Sequence, residues 1–284
     1  MKIVERQLRT WTPDADRRKR YADVTDGIDD DLAIRDADTG RITVIQKKLD
    51  LDSVINVKRL TQHLRLRGFF SAPADNTLGS RASGIKASEQ WFGWVPPDEL
   101  RRRYAANRSH LYDRNPELAA MIEHISPFLW EQVRTIAPEQ ADLHEGLVAE
   151  SVHRDWWING TPFTSGIINN SNVLPYHKDG GNLTGTWSMM LCLRNGIGGG
   201  QLHLPEYDFT LGIPNASVMF FNGQAYWHGV TPFTDVDQRA YRFTLVWYVK
   251  QRMSRCGSRE DELRRAANHA TTAMSYVNPK REGR

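Results

Sequence analysis

His177 and Asp179 stand two residues apart in Leu174-Pro-Tyr-His-Lys-Asp-Gly-Gly-Asn182, and a second histidine follows in His228-Gly-Val-Thr-Pro232. In an extended strand, side chains at i and i+2 share a face, so one imidazole and one carboxylate can reach the same ion. Two histidines and a carboxylate fill one face of an octahedron and leave three positions open, the donor set that suits a non-haem Fe(II) oxygenase. Lys178, between the pair, points the other way. Asp179 is expected to be ionised, because ligation requires the carboxylate.

Further along, Tyr241-Arg-Phe-Thr-Leu-Val-Trp-Tyr-Val249 is a β-branched and aromatic run that reads as a buried strand. A guanidinium fixed there, that of Arg242, can clamp a carboxylate through two parallel hydrogen bonds. Thr244 lies on the same strand face and can add a third. Together these residues point to a 2-oxoglutarate site, with the keto-acid end toward iron, the distal carboxylate on Arg242 and Thr244, and O2 in the position left over. Each has an ordinary reading on its own, since histidines sit in cores and arginines pair. The order and combination carry the inference.

Such residues need a scaffold that brings distant segments together. Trp156–Ile158, Phe163–Asn169, Gly185–Leu193, Gly200–Leu204, Ser217–Phe221 and Tyr241–Val249 are short strand-like segments separated by Gly, Pro and Asn. They predict a jelly roll of two packed sheets over about residues 155–250. Ahead of it, Arg41–Ile45 reads as a strand, Asp52–Leu66 as a helix capped by Asp52, and Pro96–Asn107 as another helix. Asn115–Ile136 carries a sustained apolar stripe through Leu118, Ile122, Ile125, Leu129 and Val133, and a short helix follows Pro138. The expected class is α+β, mainly β: a double-stranded β-helix (jelly roll) core braced by N-terminal helices.

The expected organisation is one domain over 41–253, with helical support in about 41–150. Residues 1–40 lack periodicity and read as a partly ordered arm, and 254–284 as a basic, peripheral C-terminal extension with a helix at Arg259–Ala270. Gly68–Gly93, rich in Gly, Ser, Ala and Asn, reads as a long loop. It carries Arg81, a candidate co-substrate or base contact.

Composition narrows the setting. There is no long apolar run, and the charged opening Met1-Lys-Ile-Val-Glu-Arg6 is unlike a secretory leader. No membrane association is expected. Two cysteines, Cys192 and Cys256, supply neither a disulfide framework nor a four-ligand zinc site, so a cytoplasmic setting is expected. A net charge of +3 is compatible with a polyanionic partner without requiring one. Basic runs such as Arg17–Arg20 and Arg101–Arg103 read first as solvated surface. A monomer is favoured.

Phe163-Thr-Ser-Gly-Ile-Ile-Asn169, His177-Lys-Asp179, His228-Gly-Val-Thr-Pro232 and Arg242-Phe-Thr-Leu-Val-Trp-Tyr248, in this order, resemble the TET/JBP dioxygenases. So does Ile136-Ala-Pro-Glu-Gln140, closing a long helix ahead of them. The likeness spans about residues 80–250. It implies Fe(II) on His177, Asp179 and His228, 2-oxoglutarate on Arg242 and Thr244 with Arg81 as a further contact, and O2 as oxidant. It also implies oxidation of the 5-methyl group of a pyrimidine in DNA, foremost 5-methylcytosine to 5-hydroxymethylcytosine. A base in double-stranded DNA must leave the stack to reach such a centre and be read by aromatic and amide groups. Asn169 and Tyr176 lead the candidates for that reading, followed by Asn170 and His203, with Asn172 and Tyr226 behind. Animal members carry a cysteine-rich zinc region and a long low-complexity insert. This chain has neither and resembles a compact bacterial or phage-encoded, nucleoid-associated member. Two other readings stay open: a 2-oxoglutarate oxygenase of the same fold acting on a metabolite or protein side chain, and a non-catalytic jelly-roll binding protein.

Overall fold

The computed structural model describes residues 1–13, 27–66, 70, 88–98, 103–234 and 239–277. Its strands are β1 (Lys2–Arg6), β2 (Leu32–Asp36), β3 (Ile42–Lys48), β4 (Ser88–Val95), β5 (Asn107–Arg108), β6 (Ser165–Asn170), β7 (Ser188–Asn195), β8 (Gly198–Gly199), β9 (Leu202–Leu204), β10 (Phe209–Leu211), β11 (Ser217–Phe221), β12 (Gly229–Val230), β13 (Phe233–Thr234) and β14 (Tyr241–Tyr248). The helices are α1 (Val57–Leu64), α2 (His110–Arg114), α3 (Pro116–Ile136), α4 (Pro138–Ser151) and α5 (Arg259–Val277). Nine strands form one sheet in the order β1-β2-β3-β11-β7-β14-β6-β4-β5. A second sheet, β10-β9-β12, packs on it, and β13 pairs with β8. This is the expected jelly-roll core with bracing helices.

Central strands read as nearly continuous apolar runs because both of their faces are covered. On one face, Met189, Leu191, Leu193, Leu245 and Trp247 join Ile122, Ile125, Leu129 and Val133 of α3 in the larger core. On the other, Met190, Cys192 and Phe221 meet Leu202, Leu204, Phe209 and Leu211 of the small sheet. Trp247 is fully buried and its Nε1 donates to Ser126 Oγ of α3 at 2.9 Å. Truncating it to alanine is expected to cost about 3–5 kcal/mol. Helix α3 starts where expected, with Pro116 in its first turn and Asn115 Oδ1 accepting the Leu118 N–H at 3.1 Å.

Several elements differ from the sequence reading. Helix α1 is capped by Asn56, whose Oδ1 accepts the Arg59 N–H at 2.8 Å, so Asp52 lies outside it. Trp156–Ile158 is no strand: Arg154–Trp156 is a 3₁₀ turn, with Trp156 buried and its Nε1 donating to Gly257 O at 2.7 Å. Of the helix expected over Pro96–Asn107, residues 99–102 lie outside the described residues. The residues on either side of these instead form a bridge, Asp98 and Arg103 exchanging backbone hydrogen bonds of 2.7 and 2.9 Å. Ser88–Val95, read as the end of a loop, is strand β4, held by pairing with β6.

The first forty residues include β2, whose Leu32, Ala33 and Ile34 are fully buried between β1 and β3. Three apolar residues are too few to establish a period. At the other end α5 is docked, contrary to a peripheral placement: Glu262 is 2% exposed and accepts the Ala106 N–H at 3.0 Å. Among the described residues no helix is long and apolar enough to cross a membrane.

Candidate metal and co-substrate site

His177 and His228, far apart in sequence, lie directly opposite each other in one antiparallel bridge. Each backbone N–H donates to the other's carbonyl, at 2.9 and 3.0 Å, and the ring centroids are 4.2 Å apart. Asp179 follows two residues on, its N–H donating to Gly223 O at 2.9 Å. Its Oδ1 sits 3.7 Å from His177 Nε2 and 3.5 Å from His228 Nε2. All three prospective ligand atoms lie within 4.8 Å of one another, the expected cluster.

Both rings are turned for ligation. His177 Nδ1 donates to Pro175 O at 2.8 Å and His228 Nδ1 to Tyr226 O at 3.0 Å. A proton held on Nδ1 leaves the Nε2 lone pair for a metal. Burial pushes the His177 pKa down to about 4, with His228 nearby acting in the same sense, so the imidazole is neutral at pH 7. Burial pushes the Asp179 carboxyl up, but His228, His177 and the Ser188 hydroxyl outweigh it and hold the group below its ordinary value. Gly223 makes room for the carboxylate: a Cβ there would stand 2.2 Å from Asp179 Oδ2.

Another charged group in the same cavity is Arg242, on β14, an inner strand of the large sheet. It is 3% exposed, and its Nε has no hydrogen-bond partner. Among the described residues no carboxylate is paired with it. Burial, with Arg194 beside it, draws its pKa below the ordinary arginine value. A buried guanidinium without an anion is costly, so this geometry fits a group that brings a carboxylate. Thr244 faces the same way. Its Oγ1 accepts from Asn169 Nδ2 at 3.3 Å, and Asn169 Oδ1 accepts from Asn172 Nδ2 at 3.0 Å. With its oxygen engaged, the Thr244 hydroxyl proton is available to an incoming acceptor.

A cavity of about 800 Å³ joins these two ends. Ile167, Met190, Leu202, Met219 and Val246 form apolar walls, and Glu89, Trp91, Tyr248, Lys250 and Arg252 also line it. Lys250 Nζ lies 3.7 Å from the Trp91 ring centroid.

Of the residues expected to read a substrate, Asn169 lines this cavity, as does Asn172. Asn170 alternates to the other face of β6, where its Oδ1 accepts from Ser171 Oγ at 3.2 Å. Tyr176 and His203 do not line the cavity; they are bonded to each other at 2.6 Å, with Trp11 against Tyr176 at 4.8 Å. Tyr226 packs on Tyr207 at 5.2 Å. Arg81 lies outside the described residues.

Sequence reasoning missed Gly223, Ser188 and the wall residues Trp91, Tyr248 and Lys250. Asn222-Gly223, a turn pair directly after an apolar strand, was a usable signal. Tyr248 carried another, six positions beyond Arg242 and so on the same face of a straight strand.

No protein-family model and no curated protein sequence matches the chain. Solved structures do. "NgTET1 in complex with 5mC DNA" aligns with a TM-score of 0.58 at 14% identity, over 94% of this chain and 90% of that one. OsALKBH1 aligns with a TM-score of 0.41 at 13% identity, over 72% of this chain and 97% of that one. A Pseudomonas putida prolyl-4-hydroxylase aligns with a TM-score of 0.40 at 17% identity, over 73% and 92%. The first likeness extends over nearly the whole of both chains, and it shows that this protein shares its fold with NgTET1.

Proposed function

We propose that the chain is an Fe(II)- and 2-oxoglutarate-dependent dioxygenase that hydroxylates the 5-methyl group of a pyrimidine, foremost 5-methylcytosine, in double-stranded DNA. The observation that carries the reading is the pairing, in one cavity, of a His-Asp-His cluster with a buried guanidinium that lacks an anion among the described residues. His177, Asp179 and His228 would hold the iron, and Arg242 with Thr244 the distal carboxylate of 2-oxoglutarate. When bound, iron and its co-substrate supply, with O2, a two-electron oxidation strong enough for an unactivated methyl group.

The chain's own residues do the rest. The carbonyls of Pro175 and Tyr226 keep the ring protons on Nδ1 of His177 and His228. The Asp179 carboxylate neutralises part of the metal's charge. Arg242 and the Asn172–Asn169–Thr244 chain fix the co-substrate in one orientation. Met190, Met219, Leu202 and Val246 keep water from the reacting centre. A duplex base must rotate out of the stack to enter. Trp91, 37% exposed, and Tyr248 offer aromatic surface to it, and Lys250 and Gln251 offer donors. The fold shared with NgTET1 supports this choice of substrate over others.

The test is mass spectrometry of nucleosides from DNA containing 5-methylcytosine, and from unmethylated DNA containing thymine. Each is incubated with protein, Fe(II), 2-oxoglutarate and air, beside the Asp179→Ala variant. A hydroxymethylated base with the wild type alone supports the reading, and the base that reacts names the substrate. Succinate released without modified base keeps the oxygenase and removes DNA as substrate, in favour of a metabolite or protein side chain. Neither product sinks the enzyme reading.

A further inference from the structure

Arg242 has a second arginine directly opposite it. In the β14/β7 pairing Arg242 faces Arg194, so both side chains project from the same sheet face. Like charges in that relation are unfavourable unless one is otherwise occupied. Arg194 is occupied: its Nη2 donates to Ile197 O at 2.6 Å and Gly199 O at 2.7 Å, and its Nη1 reaches Gly212 O and Ile213 O, both at 3.4 Å. One arginine is filled by carbonyls, and the other keeps an unpartnered, buried Nε.

The carbonyls that Arg194 binds belong in part to the turn that shapes the Arg242 pocket. Gly199 and Gly200 have φ of +63° and +64°, a left-handed pair that residues with a Cβ adopt at a cost. A Cβ on Gly200 would lie 3.0 Å from Arg242 Nε and 2.6 Å from Phe233 Cε1, and one on Gly199 would lie 2.0 Å from Pro232 O. Phe233 in turn sits with its ring centroid 5.8 Å from the Arg242 guanidinium carbon. The glycine turn thus passes close to Arg242, leaving no room there for a side chain, and Arg194 binds the carbonyls of that same turn.

We propose that Arg194 is a positioning residue for the co-substrate: by clamping the Ile197–Gly200 turn it sets the orientation of the Arg242 guanidinium, and so the affinity for the dicarboxylate. Arg194 itself does not line the cavity. This rests on the reading of Arg242 as the 2-oxoglutarate anchor. Lysine can replace it only in part, because its compact ammonium lacks the planar fork that reaches several carbonyls in fixed directions.

The test is calorimetric titration of 2-oxoglutarate into the Zn(II)-loaded protein, zinc serving as a redox-inert occupant, with zinc affinity and thermal midpoint measured in parallel. Arg194→Met is expected to weaken 2-oxoglutarate binding about tenfold to a hundredfold, since small misplacements of a clamping group have effects of that size. Arg194→Lys, which keeps the charge and provides a folded variant if Met does not, is expected to be weakened less but measurably. Zinc affinity is expected to be unchanged, and Arg194→Met added to Arg242→Met should weaken binding no further. Wild-type affinity for 2-oxoglutarate in both Arg194 variants overturns the proposal. Zinc affinity falling in step with 2-oxoglutarate affinity also overturns it, because that is general loosening of the fold. If the wild type itself fails to bind 2-oxoglutarate, the reading of Arg242 fails and this inference with it.

Discussion

The two ends of the cavity solve the problem of buried charge in opposite ways. At the metal end, the donors are gathered within the protein: Asp179 faces two imidazoles whose outer nitrogens are tied to backbone carbonyls. The ligands there sit on a short bridge between loops, and the His177 and Asp179 side chains keep 33% and 27% of their exposure. At the other end Arg242 is on an inner strand of a nine-stranded sheet, nearly without exposure and, among the described residues, without an anion of its own. The metal end is assembled from the chain's own ligands. The arginine end is left uncompensated, so an arriving carboxylate relieves a cost already present in the fold.

That contrast can be broken by experiment. The largest effect is expected from Asp179→Ala, which removes the only carboxylate of the described cluster and should reduce metal-dependent succinate release to background and strip the metal measured by elemental analysis. Next comes Arg242→Met. The KM for 2-oxoglutarate should rise about a hundredfold, the equivalent of roughly 3 kcal/mol for hydrogen bonds to a charged group. The unfolding free energy of the ligand-free protein should stay level or rise by about 1–4 kcal/mol, because an unpaired buried charge is removed. A marked loss of stability in urea would show that Arg242 is compensated after all and would end the contrast.

Gly223→Ala attacks the metal end through space alone. Its Cβ would displace the Asp179 carboxylate, and metal affinity should fall about 10- to 100-fold, as when the supports of a ligand are lost. Equal affinity in a competition titration would contradict the close approach seen here.

A pH effect independent of both ends comes from His144, on the buried face of α4. Its Nε2 donates to Pro162 O at 2.8 Å and its Nδ1 accepts the Trp187 N–H at 3.0 Å. Burial lowers its pKa from 6.5 to about 4. The unfolded chain therefore binds the extra proton first, so this stability is complete above pH 6.5 and is lost as pH falls toward 4. The loss is about 3 kcal/mol. His177, also lowered to about 4, adds in the same sense in the metal-free protein. Urea unfolding at several pH values should therefore show a smaller slope, not none, in His144→Gln.

The smallest effects separate the two faces of the strands. Asn169→Ala should raise the KM for 2-oxoglutarate roughly fivefold, for about 1 kcal/mol of lost hydrogen bonding behind Thr244. Tyr176→Phe, on the far side from the cavity, should leave that KM unchanged. A larger effect from Tyr176 than from Asn169 would reverse the assignment of faces.

The difference between those two positions shows what was legible beforehand. His177, Asp179, His228 and Arg242 stood out because their chemistry is rare in combination, and alternation alone put His177 with Asp179 and Arg242 with Thr244. Substrate contacts were not legible to the same degree. Asn169 and Asn170 are adjacent, and only the β6 register with β14 and β4 decides which one faces the cavity. Tyr176 beside a ligand looked well placed by sequence distance, yet its hydroxyl is bonded to His203 and it does not line the cavity. The docking of α5 was hidden for a related reason, since Glu262 looks like any surface glutamate until Ala106, far away in sequence, presents an N–H to it.

By itself the sequence determined the composition of the metal cluster, the buried strand that carries Arg242, the amphipathic helix α3 and the jelly-roll class, because these follow from residue types and short periods. Only the tertiary structure decided that His177 and His228 meet in one bridge, that Gly223 leaves room for Asp179, and that Arg242 faces Arg194 across a glycine turn. Those relations join segments tens of residues apart, and they are set by strand register and by how closely backbones approach, neither of which leaves a local pattern in the chain.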